Sequence, residues 1–316
     1  MSGPGTLLLT GATGFVGRPL AAALAARGWR VVGTTSRADP PAVAGVAAWE
    51  LVDLTDAAAS RALVARTRPD ALVHGAWTTT PGRFWSDPAN LRWLEAGVAL
   101  VDAFGAAGGR RAVGLGTCAE YATGDPSLDE ATTLLRPATP YGAAKAALFH
   151  AGTAAALAHG VSFAWARLFT PYGPGEPPGK LIGSVARALA AGERVATTEG
   201  TQDRDFLYVD DVAEAVAALL ESGVEGPVNV GSGEAVRLRD LIARVAALAG
   251  GADSIDLGAR PRPPHDPDRL VASIARLSEE VGFRPAVSLD EGLARTVVAI
   301  RDETRRARTP NEEARP

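Results

Sequence analysis

The chain has 316 residues, 47% of them hydrophobic and 22% charged, with 35 glycines, which is enough for a sizeable core in one large or two smaller domains. A formal net charge of −4 with no basic stripe or Lys/Arg run gives no electrostatic case for nucleic acid as a partner. Cys118 is the sole cysteine, which excludes an intramolecular disulfide and a cysteine-built zinc site; His74, His150, His159 and His265 show no metal-ligand spacing, so no metal is expected.

In chain order, Leu7–Thr10 reads as a strand, Phe15–Ala26 as a helix, and Val31–Thr34 and Trp49–Val52 as strands. Ala58–Arg66 reads as a helix, Ala71–His74 as a strand, Asn90–Phe104 as a helix and Ala112–Leu115 as a strand. Tyr141–Ala158 follows as a helix and Ser162–Arg167 as a strand. Short β-branched runs alternating with Ala-rich helical runs predict an α/β fold, a doubly wound parallel sheet of Rossmann type with ligands at the carboxyl ends of its strands. Beyond Arg167 the pattern is broken by Pro171, Pro174, Pro177 and Pro178, with helices predicted at Leu181–Ala191, Val212–Glu221 and Leu238–Leu248. Phe206–Val209 and Val228–Val230 are expected to return to the sheet. The predicted division is a dinucleotide-binding domain at residues 1–170 plus about 205–232, and a smaller C-terminal substrate-binding domain at about 171–204 plus 233–306. Residues 307–316 are read as a solvated tail.

Leu7-Leu8-Leu9 is too short for a signal-peptide core. The uncharged stretch from Ala146 to Ala166 holds His150, His159 and Gly160, so it reads as helix, turn and strand rather than as a membrane span. A soluble, cytoplasmic protein is expected.

Thr10-Gly11-Ala12-Thr13-Gly14-Phe15-Val16-Gly17 joins the first strand to the first helix. Gly11, Gly14 and Gly17 let the backbone turn sharply and approach a pyrophosphate, whose charge a helix N-terminus favours. After the second strand stand Thr35, Ser36 and Arg37, with no carboxylate until Asp39. A carboxylate there suits NAD; an arginine among hydroxyls suits the 2′-phosphate of NADP. NADP is therefore expected, with NAD as the alternative, and Arg37 as a plain loop residue remains open. Asp53, before Leu54, either borders the adenine or starts a turn.

Thr139-Pro140-Tyr141-Gly142-Ala143-Ala144-Lys145 opens a helix, with Thr139 suited to the N-cap and Pro140 to the first position. Tyr141 and Lys145 are four apart and so share one helix face. An adjacent ammonium, together with the positive oxidised nicotinamide, is expected to lower the phenol's affinity for its proton, and a tyrosine so placed passes a proton to or from a carbinol oxygen. Thr117, past the strand Ala112–Leu115, is placed to hydrogen-bond the same oxygen. Trp77, Trp85 and Trp93 cluster around the loop between His74 and the Asn90 helix as walls of a sugar or base pocket, or, for Trp93, as core or lid packing. Asp210 and Asp211 are read as caps of the Val212–Glu221 helix, His74 as structural, and Cys118 as packing rather than a reactive thiol.

These motifs together resemble an extended short-chain dehydrogenase/reductase of the NAD-dependent epimerase/dehydratase family, from Leu7 to about Pro285. They are Thr10–Gly17, Asp53-Leu54, His74-Gly75-Ala76, Asn90, Thr117, Tyr141/Lys145, Arg167–Pro174, Arg204-Asp205-Phe206, Tyr208–Val212, Asn229–Gly233 and Gly282–Pro285. The resemblance implies that Thr117, Tyr141 and Lys145 are catalytic. It implies a cofactor held by Gly11, Thr13, Gly14, Phe15, Val16, Gly17, Ser36, Arg37, Asp53, Leu54, Gly75, Ala76, Trp77, Tyr141, Lys145 and Leu168. It implies a nucleoside-diphosphate sugar held by Thr117, Cys118, Thr170, Arg204 and Arg262, the two arginines on the diphosphate. A homodimer through the helices around 90–104 and 141–158 is implied as well.

Departures from the family pattern narrow the chemistry. Where its 4,6-dehydratases carry an Asp-Glu pair after the threonine, this chain has Cys118 and Ala119. Glu120, one residue later, would face away from its predecessor in an extended segment. The Cys and His of the bifunctional epimerases fall on Ala119 and Gly175, and a common Asn is replaced by Thr170. The remaining reading is NADP-dependent reduction of a nucleoside-diphosphate 4-keto-6-deoxy sugar. Its alternative is a C4 epimerase with tightly bound NAD, and a redox sensor without catalysis stands third, against the retained Tyr/Lys pair.

Overall fold

The computed structural model describes residues 4–263 and 266–312. His265 and the last part of the predicted tail, 313–316, lie outside the described residues.

The strands and helices of the first half follow in alternation: β1 (Thr6–Thr10), α1 (Gly17–Ala26), β2 (Arg30–Thr35), β3 (Val46–Leu51), α2 (Ala57–Thr67) and β4 (Ala71–His74). Then come α3 (Ala89–Ala106), β5 (Arg111–Thr117), a 3₁₀ turn (Cys118–Glu120), α4 (Pro140–Ala158) and β6 (Ser162–Leu168). The second half holds β7 (Thr170–Tyr172), α5 (Leu181–Ala190), β8 (Val195–Ala196), β9 (Asp203–Arg204), β10 (Phe206–Tyr208), α6 (Val209–Glu221) and β11 (Gly226–Val230). Last are β12 (Val236–Arg237), α7 (Leu238–Ala249), β13 (Ile255–Asp256), β14 (Arg269–Leu270) and α8 (Leu289–Glu312).

Seven strands form one sheet in the order β11-β6-β5-β4-β1-β2-β3, each pair parallel. The expected doubly wound parallel sheet is therefore the fold. Side chains alternate across it: Leu7 and Leu9 face a cluster with Leu20 and Leu24 of α1 and Val212 and Val216 of α6. Leu8 faces the opposite cluster, with Leu63 of α2, Leu100 and Phe104 of α3 and Leu148 of α4. Each leucine so buried contributes about 1.5–3 kcal/mol. At the carboxyl end of the sheet Thr10 lies beside His74 and His74 beside Gly114, while β5 and β6 run three residues further, to Thr117 beside Leu168. A further cluster joins Tyr172, Ile182, Leu189, Phe206, Leu241, Val245, Leu293 and Val297 beyond the sheet.

Three expectations are corrected here. Val228–Val230 joins the sheet within β11, but Phe206–Tyr208 pairs only with β7 in a separate two-stranded sheet; the chain leaves the main sheet at Phe169, whose N–H still reaches Val230 O. Asp210 and Asp211 do not cap a helix at Val212: the helix starts at Val209, its N-cap Tyr208 makes no side-chain cap, and the two acids sit in the first turn. There Asp211 accepts the N–H groups of Ala286 (3.1 Å) and Val287 (2.9 Å), tying the segment before α8 to α6. Finally, α8 stays helical to Glu312, over residues assigned above to a tail.

Candidate active site

The cofactor cradle starts at β1. Gly11 has φ +78°, and a Cβ there would lie 2.8 Å from Ala76 N. A Cβ on Gly17 would meet Gly11 O at 2.0 Å, so only glycine allows helix α1 to close onto the loop. Gly14 N–H donates back to Gly11 O (2.9 Å), leaving a tight turn at a helix N-terminus, which fits a pyrophosphate. Thr10 fastens the neighbouring loop: its hydroxyl accepts from Gly75 N and Ala76 N (both 3.1 Å) and meets His74 Nδ1 at 2.8 Å. With both N–H groups donating in, the hydroxyl proton points at His74. Burial, then Lys145 nearby, holds His74 down to about 3, so this histidine is neutral and structural, as expected.

Ser36 and Arg37 lie exposed after β2, and among the described residues no carboxylate pairs with Arg37. Its N–H donates to Thr35 Oγ1 at 3.1 Å. Asp53 Oδ1 accepts from both the N–H (2.9 Å) and the hydroxyl (2.8 Å) of Thr55, which makes it a turn former.

Thr117 ends β5 and N-caps the 3₁₀ turn, accepting from Ala119 N (3.2 Å), and the turn brings Glu120 back beneath it so that Thr117 N–H donates to Glu120 Oε1 (2.8 Å). This corrects the extended reading of the segment. Glu120 does not face away: it is fully buried, accepts from Trp165 Nε1 at 3.0 Å and pairs with Arg167 Nε at 2.9 Å. Arg167 in turn donates to Tyr121 Oη (2.9 Å), and Tyr121 donates to Asn229 Oδ1 (2.8 Å).

Helix α4 presents Tyr141 and Lys145 on one face. Thr139 caps it by accepting from Gly142 N (3.1 Å), with Pro140 at the first position. Burial pushes the Tyr141 phenol above the usual range, although the neighbouring Thr117 hydroxyl favours the charged form. Lys145 donates to Leu115 O (2.7 Å) and lies 4.0 Å from the centre of the Trp77 ring, and burial holds it down to about 7. In the protein alone, desolvation keeps the phenol protonated; the expectation that the ammonium lowers it includes the positive oxidised nicotinamide. Trp77, Phe84 and Trp85 set their rings near-perpendicular to Tyr141, at 6.2, 4.9 and 5.7 Å between centres. Trp93 stacks on Trp77 at 6.0 Å. Cys118 is buried and pushed up to about 12 by that burial, which fits packing and not a thiolate.

On the substrate side, Arg204 in β9 and Arg262 both reach Asp266. Arg204 Nη2 donates to Asp266 Oδ1 (2.5 Å), Arg262 Nε stands 3.6 Å from Oδ2, and Gln202 Nε2 donates to Oδ2 (2.6 Å). The arginines sit together around a carboxylate that the sequence reading did not foresee. Thr170, in β7, lies on the same side through its N–H to Asp205 O (3.1 Å).

Lys180 was also missed. It precedes α5, lies 5.4 Å from the centre of the Phe15 ring, and is close enough to Glu176 to feel its charge. The signal was compositional: the 32 basic residues include just two lysines, Lys145 and Lys180, and burial lowers both.

A glycine loop at the first βα junction and a Thr/Tyr/Lys cluster at the carboxyl ends of a parallel sheet define a dinucleotide-binding protein of the short-chain dehydrogenase/reductase class. The sequence model of the NAD dependent epimerase/dehydratase family matches residues 7–231, and the chain belongs to that family. It is 30% identical to a UDP-glucose 4-epimerase of Streptomyces lividans over 315 residues, 89% of this chain and 92% of the relative. It is 34% identical to a dTDP-glucose 4,6-dehydratase of Streptomyces griseus over 165 residues, 52% of this chain; the match spans half (50%) of that relative's length. The fold superposes on a Thermus thermophilus UDP-glucose 4-epimerase solved in complex with NAD, with TM-score 0.84, 29% identity, and 94% of this chain and 99% of the other covered. No helix among the described residues is long and apolar enough to cross a membrane.

Proposed function

We propose that the protein reduces a nucleoside-diphosphate 4-keto-6-deoxy sugar to the 4-hydroxy sugar, with NADPH as reductant. The observation that carries this is Glu120. It is the carboxylate of the turn after Thr117, and it is locked against Arg167, Trp165 and the Thr117 backbone. With Cys118 and Ala119 beside it, Tyr141 is left as the proton-transfer group at Thr117. One such group serves carbonyl reduction and not the proton shuttling at neighbouring carbons that dehydration requires.

When bound, the nicotinamide supplies the hydride to the carbonyl carbon. Tyr141 gives its proton to the carbonyl oxygen while Thr117 hydrogen-bonds that oxygen, and the Lys145 ammonium steadies the phenolate that remains. A phenol kept protonated by burial is in the form that reduction starts from. Gly11, Thr13, Gly14, Phe15, Val16 and Gly17 hold the pyrophosphate, with Gly75, Ala76 and Leu168 along the cofactor and Asp53 and Leu54 at the adenine. Arg37 with Ser36 takes the 2′-phosphate, which favours NADP over NAD. Arg204 and Arg262 take the diphosphate of the sugar nucleotide, with Cys118 and Thr170 near the sugar. The exposed face of α3 and α4, with Leu91 69% and Leu157 80% accessible, suits pairing of two copies, and the reaction belongs in the cytoplasm.

The near-full-length likeness to a UDP-glucose 4-epimerase favours a second reading, oxidation and re-reduction at C4 with retained NAD. Purified protein incubated with NADPH or NADH and a panel of 4-keto-6-deoxy sugar nucleotides separates the two. Stoichiometric loss of the reduced nicotinamide, faster with NADPH, is expected. No loss, with interconversion of C4 epimers seen by chromatography, replaces the first reading by the second.

A further inference from the structure

We propose that Trp77 is a positioning residue of this site: its indole face holds the Lys145 ammonium beside Tyr141, in a pocket where no carboxylate forms an ion pair with that lysine. The inference rests on the reading of Tyr141 and Lys145 as the proton-transfer pair.

The indole is itself held on three sides. Its Nε1 donates to Asn90 Oδ1 (2.8 Å), and Asn90 Nδ2 donates to Phe84 O (2.8 Å), so one amide staples both ends of the loop that carries the aromatic rings. Trp93 stacks against it and is pinned by Nε1 to Thr78 Oγ1 at 3.0 Å. Its edge meets Tyr141 at 78°. A ring so fixed has no freedom to leave Lys145, which lies 4.0 Å from its centre. A desolvated ammonium over an indole is among the stronger cation–π contacts.

The groups facing Lys145 are few. Leu115 O from β5 accepts one proton, and Trp165 from β6 offers a second, more distant ring at 5.9 Å. Glu120 from the 3₁₀ turn favours the charged form, though its carboxylate is committed to Arg167. His74 from β4 is neutral, and Tyr141 shares the helix. Trp77 is the nearer of the two rings, and a substitution there removes its face from Lys145 while leaving β5 and the turn unchanged.

Because Lys145 and Lys180 are the only lysines in the sequence, selective ¹⁵N labelling of lysine side chains gives two ammonium titrations in the full chain, assigned with Lys180→Arg. Trp77→Leu is expected to lower the Lys145 midpoint by about one pH unit, while Trp77→Phe, which keeps a ring face, shifts it by less than about half of that. Activity of the leucine variant then falls roughly fivefold at pH 7 and recovers below about pH 6. If the leucine variant does not fold, Asn90→Ala, which unhooks the indole without removing it, is expected to lower the midpoint in the same direction. An unmoved Lys145 midpoint in the folded variant overturns the proposal, as does an activity loss equal at every pH. A moved midpoint with unmoved activity leaves the cation–indole contact standing and sinks instead the reading of Lys145 as part of the reaction.

Discussion

Two arginines near the site meet carboxylates under opposite conditions. Arg167 and Glu120 are 1% and 0% accessible, and the carboxylate is further bound by Trp165 and the Thr117 backbone. Arg204 meets Asp266 at a rim where the acid is 24% accessible, and Arg262, 33% accessible, shares it. The first pair has nowhere to go: burial makes each ion depend on the other. The second can exchange its carboxylate for a phosphate of equal charge and better fork geometry. On the proposed function, the same chemistry is therefore scaffold in one place and a substrate contact in the other.

The sharpest way to break that contrast is Glu120→Ala. It leaves Arg167 buried without its partner and is expected to cost about 3–5 kcal/mol of stability, measured by denaturant unfolding. Arg204→Met should behave in the opposite way. It is expected to cost less stability than Glu120→Ala, about 1–2 kcal/mol, because Asp266 keeps Gln202 and Arg262 when the largely buried Arg204 is lost, while KM for the sugar nucleotide rises roughly 30-fold as a charge-assisted contact is lost. A variant that loses stability but not affinity would show that Arg204 belongs with Arg167. Arg37→Ser is the mildest case. An exposed cation with no carboxylate partner contributes nothing to folding, so the expected change is about a tenfold rise in KM for NADPH with NADH unaffected. Equal changes for both cofactors would remove the arginine from the 2′-phosphate.

The parts legible in the sequence were those governed by local rules. The chain order of strands β1 to β6 was legible from the alternating runs, because helices separate most of these strands in sequence, β2 and β3 excepted. Tyr141 and Lys145 were legible because four residues make one helical turn, and Thr139 and Pro140 mark where the helix begins. One signal was local and passed over: Glu120 was placed by assuming that β5 continues, whereas a capping box between Thr117 and Glu120 turns the chain. The others were non-local. Asp266 meets Arg204 across 62 residues, a pairing no spacing announces. The burial of Tyr141 has the same origin: its helix position was readable, but the rings of Trp77, Phe84 and Trp85 around it come from another loop.

The measurement that bears most directly on the central claim is single-turnover oxidation of NADPH by a 4-keto-6-deoxy sugar nucleotide in the parent and in Tyr141→Phe. Loss of the proton donor is expected to slow the step by about 10²–10⁴-fold while cofactor binding, read by nicotinamide fluorescence, persists. A phenylalanine variant that turns over at the parent rate would contradict the assignment of Tyr141 as the proton donor.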